Sequence, residues 1–520
     1  MAAATTAVKP GTSTPEILGR KPPQALADLT SVELATATIE ATISDSLAGY
    51  RKTLLWAAAK GHYSIVDLVL RIPGSAIHAQ DSAGRTALSL AAGEGHDAVV
   101  SLLLNNSGAI VDAPDSSGAT PLSWAVARGH RNTTSLLLQS GKSNVNHQDK
   151  DGSTPLCIAA REGQIGTVAL LLEHPGVITD LVDIIGATPF SWAAARGHHN
   201  IVTLFLKDGK AVVDSQDDFG QSPLLLAANN GHGDVVQVLL DEGNAKASLS
   251  DIDGATPLTR AASMGHRDIV EALARAGTSD MHHQDIRNRT PLSWAAGEGH
   301  YDIVRFFLER EGTKVDLPDI DGVTPLIWAA SLGHYDVAKL LLERGRANAG
   351  YRDNRGRTAM SWVAGEGHDN IVELLMGAVD ATMDDRDTEG HVPLYWAVVE
   401  NHAKVVRSLL KVKGLDHYYY NVVGGFPLSE AVRVCRQELL HGPSRRSLKA
   451  EGFPSIAGGC AEDAKGFAYH ANEVAKANLT EAAWAGDIQF VQHRLDDQAH
   501  GEPKCPKHLV ALLLAAVNSR

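Results

Sequence analysis

Thr120-Pro121-Leu122-Ser123-Trp124-Ala125 decides the reading of this chain, because the stretch keeps returning. Its opening recurs as Thr154-Pro155-Leu156, Thr188-Pro189-Phe190, Ser222-Pro223-Leu224, Thr256-Pro257-Leu258, Thr290-Pro291-Leu292 and Thr324-Pro325-Leu326. Looser copies begin at Thr53, Thr86, Thr358, Val392 and Phe426. The first interval between these twelve starts is 33 residues and the other ten are 34. A constant period of this size is the mark of a repeat architecture.

Each part of the period has a physical reading. A hydroxyl residue before Pro starts a helix: the side chain caps an orphan N–H, and Pro fits the first helical position. A few residues later comes Gly61, and then Gly95, Gly129, Gly163, Gly197, Gly231, Gly265, Gly299, Gly333 and Gly367, with Asn401 in the eleventh copy. A helix that ends in the left-handed conformation favours Gly, then Asn. Apolar pairs such as Ile201-Val202, Val235-Val236 and Ile303-Val304 follow, and then leucines at helical spacing, predicting a second helix. Asp-x-x-Gly closes the unit as a turn, for example Asp115 to Gly118 and Asp319 to Gly322. Asn288 replaces Gly in one copy, again the residue that tolerates positive φ.

The unit is therefore helix, tight turn, helix and a projecting hairpin-like finger. It resembles the ankyrin repeat, whose motif includes T-P-L-x-x-A-A-x-x-G-H and D-x-x-G, over about residues 50–434. The departure is systematic: Ser (Ser123, Ser191, Ser293, Ser361) stands where that family usually has His. Trp often follows, as at Trp56, Trp124, Trp192, Trp294, Trp328, Trp362 and Trp396. Long arrays of filamentous fungi look like this, so the resemblance implies a fungal source. The fold class expected is an all-α ankyrin-repeat solenoid of about twelve units, each buried against its neighbours.

Around the array, residues 1–24 read as a disordered tail and 25–50 as an N-terminal cap, with Thr30 and Glu33 spaced as a capping box. Residues 51–434 are the array. Segment 435–477 carries an insertion with loop signals such as Gly442-Pro443. Residues 478–520 read as a divergent last unit and a closing helix.

Composition narrows the function. Of 520 residues, 44% are hydrophobic and 21% charged, which suits a globular chain. A net charge of −14 disfavours nucleic acid, since no counterion release would reward binding. The four cysteines (Cys157, Cys435, Cys460, Cys505) are too scattered for a disulfide framework or a C-x-x-C metal site. The opening MAAATTAVKPGTSTPE lacks a secretory pattern, and the apolar stretch His508–Val517 is too short to span a bilayer. An intracellular protein of cytoplasm or nucleus, with no membrane partner, is expected.

Ten histidines follow the turn residue at one register, from His62 to His402. They read as structural, because neighbours one repeat apart lie ~10 Å from each other, whereas zinc draws its ligands to about 2 Å. Asp251-x-Asp253-Gly254 lacks the later ligands of a calcium loop. The periodic Trp residues read as core, since other units place Leu90, Ile158 or Leu226 in the same slot. No catalytic or phosphate-binding motif is present, so no catalytic residue, metal or cofactor is assigned.

Two rows of residues suggest binding. The position before the turn Gly alternates in charge from Lys60 to Arg196, which reads as a ladder of surface ion pairs. It then becomes Asn230, Met264, Glu298, Leu332, Glu366 and Glu400, an acidic and partly apolar run on what the resemblance makes the concave face. The finger turns carry Ile184, Ile185, Phe219, Ile252, Ile286 and Ile320, either packed on adjacent fingers or exposed for a partner. Tyr418, Tyr419 and Tyr420 add a further contact candidate. The function expected is a non-enzymatic scaffold binding one or more proteins or peptides, as a monomer or weak oligomer. The alternative is an accessory protein or atypical enzyme of a fungal specialised-metabolite pathway.

Overall fold

The computed structural model describes residues 47–412, apart from 73–76, 107, 278 and 401. The expectations for 1–24, for most of 25–50, for Asn401, for Tyr418–Tyr420, for the twelfth start at Phe426, and for 435–477 and 478–520 fall outside those residues. The described residues belong to two compact units, divided between Asp218 and Phe219.

The first unit holds five helix pairs, from Leu47–Lys60 with Tyr63–Leu70 to Pro189–Ala195 with His199–Asp208. The second holds six, from Pro223–Asn229 with Gly233–Asp241 to Pro393–Val399 with Ala403–Leu410. Within each unit, first helices pack on first helices of the next layer and second helices on second helices. Among the described residues no strand forms. One isolated antiparallel bridge, Gln80 with Thr86, is all that the first described finger adds to its turn.

Local chemistry explains the boundaries. The hydroxyls of Thr86, Thr120, Thr154, Thr188, Ser222, Thr256, Thr290 and Thr324 each accept the N–H three residues on, with the backbone extended before the helix. Removing such a cap costs about 1 kcal/mol. Thr53 departs from the expectation. It is buried inside the helix Leu47–Lys60 and caps nothing, because this helix begins already at Leu47 and runs through it. The ten turn glycines all have left-handed φ, between 73° and 83°.

Apolar burial runs layer by layer. Val99, Val100 and Leu103, then Leu137, then Val168 and Leu171 are buried along the second helices of the first unit. Ile269, Val270 and Leu273, Ile303 and Val304, and Ile371 and Val372 repeat the arrangement in the second. Each fully buried Leu or Ile contributes about 1.5–3 kcal/mol. No unit could retain that contribution without a neighbour to cover its face.

Candidate functional site

One aspartate carboxylate closes the turn of a finger. Asp115 Oδ1 accepts the N–H groups of Ser117 and Ala119 at 2.8 and 3.0 Å, and its own N–H donates to the Ala119 carbonyl. Its second oxygen accepts Trp124 Nε1–H at 2.9 Å. The same indole bond joins Trp192 to Asp183, Trp294 to Asp285, Trp328 to Asp319, Trp362 to Asp353 and Trp396 to Asp387.

This corrects the reading of the Trp series as plain core. Trp124 is buried, but Trp192, Trp294, Trp328, Trp362 and Trp396 are only half-buried, and their polar edge ties the first helix to its own finger. Arg260 occupies the slot in another unit and performs the same task, donating Nε–H to Asp251 Oδ2 at 2.8 Å. Where the slot holds Leu90, Arg85 supplies the donor to Asp81 at 2.9 Å. The signal that would have found this is the constant nine-residue separation of Asp and Trp, together with Arg260. Burial pushes the carboxyls of Asp149 and Asp319 above the ordinary range despite their hydrogen bonds.

The histidines lock layer to layer. His130 Nε2 lies 3.1 Å from the Gly93 carbonyl, and His334 Nε2 lies 2.8 Å from that of Gly297. A carbonyl only accepts, so Nε2 carries the proton. His96, His198, His266, His300, His368 and His402 repeat the bond, each to a carbonyl 37 residues earlier. Where Gln164 replaces His, its amide donates to the Val126 carbonyl at 2.6 Å. Nε2 of these eight rings therefore faces backbone. Among the described residues, no group of three or more His, Cys, Asp or Glu side chains could hold a metal ion.

Fingers are also joined to one another. In the first unit Ile184 N–H donates to the Asp151 carbonyl at 3.0 Å. In the second, Ile252 N–H donates to Phe219, Ile286 to Asp253, Ile320 to Arg287 and Asn354 to Asp321, at 2.8–3.0 Å. These bonds fix the turns and leave the side chains outside. Ile252 is 64% exposed, Ile286 64%, Ile320 55% and Ile184 65%, while Phe219 is 48% exposed and Ile185 half-buried. Of the two alternatives read from sequence, projection describes the geometry.

The second row is exposed as well. Met264, Glu298, Leu332, Glu366 and Glu400 stand open at the ends of their first helices. The ion-pair ladder expected upstream takes a different form. Among the described residues Lys60 and Glu94 form no ion pair, and Glu162 pairs with its neighbour Arg161 at 3.4 Å. Arg128 lies with its guanidinium 5.9 Å from the Trp124 ring centroid. Sequence reasoning also missed Ile110, Ile178, Val182 and Val212, exposed in the segments between second helix and finger. A cleft of ≈ 40 Å³ lined by Ile77, Leu88, Leu103 and Ala113 is far below the size of a drug-sized site.

Paired helices stacked in register, with left-handed glycine turns and aspartate-organised fingers, define an all-helical repeat protein. The family model of ankyrin repeats matches this chain in five overlapping stretches, 54–149, 136–217, 209–285, 276–353 and 346–420. These span well over half of the sequence, and the chain belongs to the ankyrin repeat family. No curated protein matches it. Ankyrin repeats generally mediate association between proteins. Among the described residues no helix is long and apolar enough to cross a membrane.

Proposed function

We propose that this protein is a non-enzymatic scaffold that holds protein or peptide partners on its finger tips, with the exposed ends of the first helices as a second contact row. One observation carries the reading. Three consecutive fingers of the second unit hold Ile252, Ile286 and Ile320 more than half exposed on turns whose backbones are already bonded to each other. Contiguous exposed apolar side chains on a rigid frame suit docking, because little entropy is lost when they are covered.

The test replaces Ile184, Phe219, Ile252 and Ile286 together by Ser and compares proteins captured from the native extract. The expected result is loss of specific capture with an unchanged unfolding midpoint. Unchanged capture would remove the finger tips from the interface. A parallel Met264→Ser, Leu332→Ser variant reports on the helix-end row.

A further inference from the structure

The finger tips of the second unit carry a second pattern beside the isoleucines. The turn position after each Ile or its equivalent reads Asp253, Arg287, Asp321, Arg355, Glu389. The sign alternates from layer to layer along the whole row. All five side chains are exposed: Asp253 57%, Arg287 46%, Asp321 63% and Glu389 75%, with Arg355 also open. Two parallel rows thus run across the tips, one of Ile252, Ile286, Ile320 and Asn354, the other of alternating charge.

Such a surface is complementary to itself. Consider a two-fold axis lying in the plane of the tips, perpendicular to the rows, midway between the finger of Asp285–Asn288 and that of Asp319–Gly322. It reverses the direction of the rows but keeps each row opposite its own copy. Arg287 then faces Asp321 of the second copy, Asp253 faces Arg355, and each pairing occurs twice. Ile286 faces Ile320 in the same arrangement, and Ile252 faces the polar end of its row at Asn354. An axis shifted by one layer towards the C-terminus sets Ile320 against Asn354. One shifted towards the N-terminus sets Phe219 against Asp321. A parallel alignment places like layers together, so neither Arg287 with Asp321 nor Asp253 with Arg355 can face across it. Only the central register combines an Ile–Ile contact with both charge pairings, and isologous contacts of this kind are the commonest route to soluble dimers.

We propose that the finger tips of the second unit bind a second copy of this chain, antiparallel, in this register. The proposal rests on the finger-tip reading above and names one partner for it. The Arg287–Asp321 ion pair, at 2.8 Å within one chain, opens to a shared four-charge cluster in the pair. Exposed pairs set register and partner choice more than affinity, so the dimer is weak and salt-sensitive.

The geometry supplies a clean test. Asp253 and Arg355 sit three layers apart in one chain, on the order of 25–30 Å at ordinary helix spacing, well beyond the Debye length. They can couple only between chains. Sedimentation velocity of the full chain, up to a few hundred micromolar and at low and physiological salt, measures the dimer constant. Asp253→Lys alone and Arg355→Glu alone should each weaken it about tenfold, since two exposed pairs are lost and like charges face each other in their place. The double variant should return to within about threefold of the original. Within one chain Asp253 Oδ2 accepts Arg260 Nη2–H at 2.9 Å; in the Lys variant Arg260 keeps Asp251 as its partner, and the thermal midpoint checks folding. Ile286→Ser, which touches no charge, should weaken the dimer as well. A chain that stays monomeric throughout, or a dimer insensitive to Asp253→Lys, overturns the proposal. So does a double variant that fails to recover. The extract-capture experiment is independent of these outcomes. Its failure with the dimer intact leaves self-pairing standing, and the reverse leaves the scaffold reading standing.

Discussion

Gly299→Ala tests the interlayer lock most directly. Gly299 has φ +77°, and a methyl group added there would sit 2.5 Å from His334 Nδ1 and 2.7 Å from Cε1. Two costs follow. Placing Ala in the left-handed region costs about 1–2 kcal/mol. The His334 ring must also leave, giving up its 2.8 Å bond to the Gly297 carbonyl, which costs about 1–2 kcal/mol more because the acceptor gains no replacement. The sum is about 2–4 kcal/mol. The same change in a His334→Gln background should cost only the first part. Gly129 shows why: its counterpart in the next layer is Gln164, and a methyl group at Gly129 would lie 3.8 Å from the nearest Gln164 atom. Chemical denaturation of the four proteins, read with hydrogen exchange of residues 291–308, gives the double-mutant cycle. A coupling smaller than about 0.5 kcal/mol would refute the steric account.

Two further outcomes follow from the fingers and the core. Trp124→Phe keeps the ring but removes the indole donor to Asp115, and should cost about 1.5 kcal/mol and speed amide exchange over 115–119; Trp294→Phe should cost less, because Arg289 Nε–H still reaches Asp285 Oδ2 at 3.0 Å. Burial pushes the Cys157 thiol up to about 12, so at pH 8 it carries almost no thiolate. Peptide mapping after maleimide treatment should find Cys157 unlabelled in the native protein and labelled in denaturant; labelling in native buffer would show that its layer opens without global unfolding.

The sequence disclosed the period, the caps and the turns because each depends on one residue's local chemistry. Thr-Pro, turn Gly and Asp-x-x-Gly need no knowledge of the next layer. Thr53 departs because its helix begins at Leu47 and runs through it, whereas Thr86, likewise without a following Pro, caps its helix. The Trp series escapes a local reading because its polar bond spans nine residues between helix and finger. The histidines are legible as structural, but their target 37 residues away emerges only when layers stack. For the finger tips, pattern places isoleucines in turns and cannot say whether they tuck or project. The bonds between successive turns decide that by occupying the backbone edge and leaving the side chains outside.

Asp81, Asp115, Asp251 and Asp285 share a wider lesson. In each of these four fingers a donor reaches the second oxygen, by indole, by guanidinium from the helix, or by guanidinium from the turn, whereas the Asp149 finger, with Ile158 in the slot, closes on the backbone N–H groups of Asp151 and Ser153 alone. These are interchangeable fittings for one socket. A designer splicing layers from this array could therefore exchange them freely.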